Sequence, residues 1–507
     1  MKKRATLFLA CLIALSSVLS GCSETKEPIT DSPAETQASA PEESDPGDPE
    51  TEVDGEEDGL LHDDLPADLN FDGETITIHI RNGDNGNPQG NCVMEMTVAE
   101  LNGDILNDAI YNRNIAVNER LNVQIDPYVS YDWTKYGDAR EEIRASIRAG
   151  EDRFDIVAGW CNGEIPSMAL EHCFLDMKGA PYLDTEKPWW NQALVRTTPM
   201  GGQLFFLTGE SNILTSLGSA FSVFVNEALE TDYQLEPLST YVDEGTWTID
   251  QMGKIAEQVH VDLNGDGAMD ADNDRFGLVL LNYIAADAFY TSLDCHQIEI
   301  DEDGEVTYVP QAERIHNALE KVYNLHYNNA GTLGWLPDIT RDIFLESRSL
   351  MTLEYMEAAR EQLREMEDPY YIIPMPKLDE AQENYYSYIF NNLTVLSVPV
   401  TNQNTDATYA TMEALSSESY FNVTPVFFNA CMQNKYARSE TTSRMLEIIR
   451  QSCYVDYEYI YGSLYNKPAF IFRSLIGAKS SDSASWIASN SKAIQKQIDK
   501  AVKKLNE

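Results

Sequence analysis

The 507-residue chain carries 83 acidic residues against 36 basic ones, a formal net charge of −47. This balance excludes a nucleic-acid partner, since affinity for phosphates comes from Lys and Arg neutralising them, and it disfavours lying flat on anionic lipid. The length predicts two or three lobes, each large enough for its own core.

At the start of the chain, Lys2, Lys3 and Arg4 precede an apolar run over 7–18. A basic start, a short hydrophobic segment and small residues predict a secretory signal over 1–21. The run falls short of the roughly 20 apolar residues of a membrane span. Leu19-Ser20-Gly21-Cys22 resembles the bacterial lipobox, which implies an exported lipoprotein beginning at Cys22. There Cys22 carries a diacylglyceryl thioether with palmitate-like chains, and two chains suffice for stable anchoring. The expected location is the outer face of the bacterial cytoplasmic membrane, with lipid as the sole membrane contact. Residues 23–64 hold 16 acids, one Lys and five Pro, without apolar periodicity. Such a stretch cannot bury enough apolar surface to offset ordering, so 22–66 is predicted to be an acidic, disordered tether.

Alternation over 75–80 predicts the first strand, and a helical pattern follows over 101–121. A short strand at 123–125, a helix over 138–149 and a strand over 154–159 continue the order. Further helices are predicted at 163–172, 248–260 and 311–327, with strands at 276–281 and 349–353. The chain closes on an amphipathic helix bearing Ile494, Ile498 and Leu505. Strand alternating with helix at this spacing predicts right-handed βαβ units and an α/β fold. Beyond the leader and Cys22, six cysteines remain: Cys92, Cys161, Cys173, Cys295, Cys431 and Cys453. Their wide spacing fits free buried thiols and one or two disulfides equally.

The sharpest internal motif runs over 262–274. Asp262, Asn264 and Asp266 fill positions 1, 3 and 5 of an EF-hand-type loop, Gly267 supplies the sharp turn and Asp270 stands at position 9. Position 12 is Asn273 where a bidentate Glu belongs, so Asp272 or Asp274, with Asp274 preferred, is the expected closing ligand of a structural Ca2+ clip. No GxSxG, HExxH, Walker A or GxGxxG string occurs, which lowers the expectation of an enzyme. Aromatics at strand ends are the candidate binding groups. Trp160 follows the strand over 154–159, and Tyr355 follows the strand over 349–353, where open α/β sheets place ligands. Such rings offer a flat apolar face to a sugar, and Arg81, Asn82 and Asp84 after the first strand are the candidate polar partners.

With these motifs in place, the chain resembles the extracellular solute-binding proteins of family 1, the lipoprotein substrate receptors of bacterial ABC importers. The likeness is carried, in shared order, by residues 154–157 with the aromatic after them and by 222–226. It continues through Thr246-Trp247 before a helix, 262–267 with Phe276-Gly277, and 373–377. Tyr355 stands where many relatives carry Trp, and the acidic loop holds one extra residue before its closing acid. The resemblance implies a two-lobed periplasmic-binding-protein-like fold of class II with hinge-crossing strands near 221–226, 370–377 and 418–426. It implies lobe 1 over 67–222 and 377–420, lobe 2 over 223–376 and 421–507, and a cleft between them. The expected function is capture of an oligosaccharide by hinge closure in a monomer, and delivery to an ABC permease whose ATPase is a separate subunit. The competing readings are a surface glycan hydrolase and a glycan-binding adhesin or sensor.

Overall fold

The structure, a computed structural model, describes residues 61–82, 91–130, 136–197, 200–301, 304–390, 392–431, 440–455, 457–505 and 507. The predicted signal, Cys22, the tether up to residue 60 and Asp84 lie outside the described residues.

Strands β1 (Glu74–Ile80), β2 (Val123–Val129) and β3 (Ile156–Trp160) come first along the chain. β4 (Phe221–Asn226), β5 (Phe276–Leu281), β6 (Ile298–Ile300), β7 (Val306–Tyr308), β8 (Thr332–Leu336) and β9 (Ser349–Tyr355) follow. β10 (Tyr370–Ile373), β11 (Ser387–Tyr388), β12 (Thr394–Ser397) and β13 (Cys453–Tyr454) complete the series. Two larger sheets result, one ordered β12-β3-β1-β2 and the other β10-β4-β9-β5-β8. In the first, β1 runs parallel to β2 and β3, while β12 joins the edge antiparallel to β3. In the second, β5 runs parallel to β8 and β9, whereas β4 is antiparallel to both β9 and β10.

Local chemistry explains the elements. Asp104 caps the helix Ile105–Leu121 by accepting from the N–H groups of Leu106 and Asn107 at 3.1 and 3.0 Å, and Asn122 in the left-handed region ends it. Its buried face, Leu106, Ile110, Val117 and Leu121, keeps the three-and-four spacing of an amphipathic helix. β4 and β5 are buried along their whole length, on both faces, as expected of central strands covered on both sides. Gly277 and Gly331 let the helix Ile249–Ala256 approach that sheet: a methyl group at either would lie 2.1 or 2.0 Å from the Ala256 carbonyl oxygen. One core gathers Ile76, Ile78, Ile156 and Leu396 of the first sheet, and another gathers Val223, Leu278, Met351 and Leu353 of the second. After residue 421 the chain serves both. Met445, Ile471 and Phe472 pack in the second core, while Tyr457, Tyr461, Ile494 and Ile498 pack in the first.

The structure corrects the reading of the sequence in three places. The folded unit begins before residue 67: Leu65 is buried, Asp63 accepts from Arg120 at 2.8 Å and from Ser417, and Asp64 pairs with Lys187 at 2.9 Å. Composition made these acids look solvated, but basic partners far along the chain hold them. The return passage from the second sheet to the first follows β10 and runs over 374–393, later than expected. The segment near 418–426 is helical: the α-helix Thr405–Glu418 continues as a π-helical turn, Ser419–Val423, into the α-helix Thr424–Cys431. The cysteine alternatives resolve as well, since all six described cysteines are buried and none is joined in a disulfide.

Burial alone would raise the Asp63 carboxyl, but the bonds from Arg120 and Ser417 outweigh it and hold its pKa below the ordinary 3.8. Its stabilisation is therefore present above about pH 3.8 and lost as pH falls through the lower native value. Asp63→Ala should cost about 1 kcal/mol in urea denaturation at pH 7, allowing for screening of a partly exposed pair. That deficit should shrink towards pH 3. An unchanged midpoint at pH 7 would return residues 61–66 to the tether.

Candidate ligand-binding site

The carboxyl ends of β1 and β3 and the amino end of β12 meet at one rim of the first sheet. Trp160 closes β3 in register with Thr394 of β12, and the Cys161 N–H bonds the Leu393 carbonyl just beyond. The Trp160 N–H donates to Glu164 Oε1 at 2.9 Å, and its half-buried ring packs over Gly163. A methyl group at Gly163 would sit 2.3 Å from a ring carbon. Burial pushes the Glu164 carboxyl up, while the Trp160 N–H and the Arg81 charge pull it back. Trp160 is thus fixed through its own backbone and a glycine, which leaves the indole orientation well defined.

Arg81 follows β1, and one arm of its guanidinium, Nη2, is held by the return passage. Nη2 donates to the Asn392 carbonyl and lies 3.5 Å from Thr394 Oγ1. Asn82 is half-buried directly after it. Beneath them Glu95 is fully buried, accepting the Thr215 N–H and hydroxyl at 2.9 Å each. Burial pushes this carboxyl up to about 7, against the pull of Thr394, Thr215 and Arg81.

Tyr355 ends β9 in the second sheet, where Arg341 fixes it. Arg341 Nη2 donates to the Tyr355 hydroxyl at 3.1 Å and to buried Glu354 at 3.0 Å. Burial, reinforced by the Glu354 charge, pushes the Tyr355 hydroxyl well up, so it stays protonated. An aromatic path connects the two sheets. Tyr355 lies 6.2 Å from Phe221 between ring centroids, Phe221 lies 5.9 Å from Tyr388, and Tyr388 lies 5.1 Å from Tyr459. Tyr388, Tyr459, Leu393 and Cys161 line a void of ≈ 10 Å³, the size of one water. The aromatic path from Tyr355 therefore ends at a void lined by Cys161, the residue after Trp160, and Tyr283, 41 % exposed, lies in the first turn of the helix after β5.

Among the other described tryptophans, Trp189, Trp190 and Trp247 are buried, while Trp335 and Trp486 are half-buried. Trp189 and Trp190 are 1 % exposed, and both indole N–H groups donate to Glu413, at 2.8 and 2.9 Å. Trp335 packs against Gly477 and His326. Two adjoining cavities, ≈ 370 and ≈ 470 Å³, lie between the helices Gln192–Thr197 and Glu440–Ser452. They share Gln192, Ala193, Gln451 and Cys453, and Trp160 and Tyr355 line neither. Both sizes suit a small ligand.

The 262–274 loop has an all-oxygen donor set, which suits a hard cation. Its carboxylates are turned to the loop's own amides. Asp262 accepts from Gly265 and Gly267 at 2.6 and 2.8 Å, and Asp266 from Ala268 at 2.8 Å. Asp270 accepts from Asp272 and Asn273 at 2.9 Å each, and the Asn264 amide donates to Asp266 at 3.0 Å. Buried Asp274 accepts from Leu263 and Asp270 at 3.0 and 2.7 Å. Among the described residues no three His, Cys, Asp or Glu side chains converge on one ion position.

Sequence reasoning missed Glu164, Arg341 and Asn392. The two charged groups act on aromatics it had chosen, yet nothing in their spacing marks them. No protein-family model matches the chain, and no curated protein matches it in sequence. Solved structures do match in fold. The chain superposes on the cyclic α-maltosyl-1,6-maltose binding protein of Arthrobacter globiformis with a TM-score of 0.54 at 12% identity, covering 85% of this chain and 99% of that one. A cyclo/maltodextrin-binding protein complexed with maltotetraose gives 0.51 at 11%, covering 86% and 97%. An open conformation of a sugar transporter from Rhizobium etli gives 0.51 at 12%, covering 85% and 99%. At such identities the likeness establishes the fold: a two-lobed, periplasmic-binding-protein-like α/β architecture.

Glu413 supplies a test of the tryptophan core. Burial pushes its carboxyl up to about 7 from 4.5, although both indoles pull it down. The native state then holds a proton that the unfolded chain has released, so this group's contribution falls as pH rises from about 4.5 to about 7. The stability difference between wild type and Glu413→Gln, measured by urea denaturation, should turn against the wild type from pH 5 to pH 8. A difference that does not vary with pH would place the carboxylate in contact with water.

Proposed function

We propose that the protein is a lipid-anchored, extracytoplasmic receptor that captures an oligosaccharide by closing its two lobes and presents it to an ABC permease. The observation that carries this reading is the pair of oriented aromatics at strand ends of the two sheets, on a fold shared with sugar-binding proteins. Trp160 and Tyr355 stack on sugar faces in the closed state, and Asn82 with Arg81 supplies hydrogen bonds from the rim of the first sheet. Ligand contacts on both lobes favour the closed form, and that form is what a permease recognises. The protein acts by binding and not by catalysis, and nucleotide hydrolysis belongs to other subunits. Among the described residues no helix is long and apolar enough to cross a membrane. The lipid at Cys22 is the proposed anchor.

A thermal-shift screen of the protein against neutral oligosaccharides, followed by calorimetry on the hits, tests this reading. Trp160→Ala should weaken binding about 10- to 100-fold, the worth of one stacked and desolvated ring. Gly163→Ala should weaken it too, by displacing the indole. Stability without ligand should change little for Trp160→Ala. Large destabilisation with full affinity would make Trp160 a core residue.

We also propose that Asp262, Asn264, Asp266, Asp270 and Asp274 take up one Ca2+ as a structural clip when the ion is supplied. Calcium at millimolar concentration should raise the melting temperature, because a ligand of the native state alone stabilises it by mass action. Asp266→Ala should remove the rise. Identical melting with calcium and with chelator would leave an acidic turn satisfied by its own amides.

A further inference from the structure

Asn392 occupies an unusual position on the return passage. It lies two residues before Thr394, which pairs with Trp160, and one before Leu393, whose carbonyl accepts the Cys161 N–H. The residue therefore sits one step beyond the sheet, at the rim formed by Trp160 and Arg81. Its backbone carbonyl accepts from Arg81 Nη2. The residue is 1 % exposed, yet among the described residues neither its Nδ2 nor its Oδ1 has a hydrogen-bond partner, and the adjoining Arg81 Nε is buried without one as well.

Native proteins pair almost every buried polar group, because an unmade bond costs the full desolvation of that group. An amide that leaves donor and acceptor both unmade, beside an unmade guanidinium N–H, is a stored demand for a partner. It lies at the amino end of β12, beside the carboxyl end of the parallel strand β3 that closes on Trp160, at the rim where open α/β sheets bind ligands.

We propose that Asn392 is a ligand-binding residue that reads adjacent hydroxyls of a sugar, with Arg81 Nε as its second donor. This rests on the oligosaccharide reading above and names a polar contact within it. The complement needed by this group set is mixed. The Nδ2 and Nε hydrogens require an acceptor, while Oδ1 requires a donor. A carboxylate ligand would leave Oδ1 unpaired and facing negative charge, and an ammonium would leave both N–H groups unpaired. Vicinal hydroxyls satisfy all three at once, since each hydroxyl donates and accepts. The partner enters when the lobes open, and closure over it satisfies the amide.

The test compares wild type with Asn392→Ala and the near-isosteric Asn392→Asp, which keeps the acceptor and loses the donor. Calorimetry uses maltotetraose, cellotetraose and xylotetraose as probes, and differential scanning calorimetry reads stability without ligand. Both variants should lose roughly 10-fold or more in affinity for whichever probe the wild type binds. Asn392→Ala should melt at or above the wild-type temperature without ligand, because it removes an unpaired buried amide. Full affinity in both variants, with a fall of several degrees in ligand-free melting for Asn392→Ala, would make Asn392 a structural residue and overturn the inference while leaving the oligosaccharide reading intact. A wild type that binds none of the three probes overturns both.

Discussion

The arrangement depends on one long-range constraint, the antiparallel closure of β12 onto β3. More than 230 residues separate the two strands, and the intervening chain builds the whole second sheet before it returns. Without that return the first sheet would expose the β3 edge, and an unpaired edge of this kind is a site for aggregation. The return also has to end in register, because a one-residue slip would turn Val395 and Leu396 about and put the wrong faces against the core. Arg81 fastens this end, tying the rim of β1 to the Asn392 carbonyl. The same closure brings Trp160, Arg81 and Asn392 together, so the proposed binding rim is a by-product of completing the sheet.

Charge is managed by depth. The exposed surface carries the acidic excess, whereas several carboxylates are sealed inside with defined donors. Glu95, Glu357 and Glu413 are all pushed up to about 7 by burial, and each accepts hydrogen bonds, Glu357 from Asn91 and Arg360. Glu95 holds Thr215 on the passage into the second sheet, and Glu413 holds the two tryptophans under the first. Buried carboxylates of this kind contribute little net stability, but an unpaired one is costly, so their donors are held in fixed positions. The π-helical turn at Ser419–Val423 adds a second fixed point. There Arg113, buried on the helix Ile105–Leu121, donates to the Ser419 hydroxyl at 3.1 Å. Such turns recur where helices meet functional demands.

The parts of this molecule legible in the sequence are those set by local periodicity. β5 spans the predicted 276–281, the helix Ala312–Tyr327 departs from expectation by one residue, and Trp160 and Tyr355 do end their strands. What the sequence hid is set by partners far along the chain. Asp63 and Asp64 read as tether because Arg120 and Lys187 cannot be foreseen from neighbouring residues. The helical segment after 418 lacks the alternation of a strand, and its expected place as a crossing strand came from likeness to other chains. Asn392 carries no local signal at all. Its significance appears only when β12 is known to pair with β3, which sets it at the rim with a buried amide unpartnered among the described residues.

The central claim is that ligand closes one lobe upon the other, and an inter-lobe distance reads this most directly. Glu119 and Glu320 are exposed on helices that flank the first and the second sheet, while the six native thiols are buried. Spin labels on Glu119→Cys and Glu320→Cys would report the separation by pulsed dipolar spectroscopy, with and without a saturating oligosaccharide. The account predicts a broad distribution without ligand that narrows and shifts to a single population when ligand binds. An oligosaccharide bound tightly by calorimetry, with an unchanged distance distribution, would contradict it.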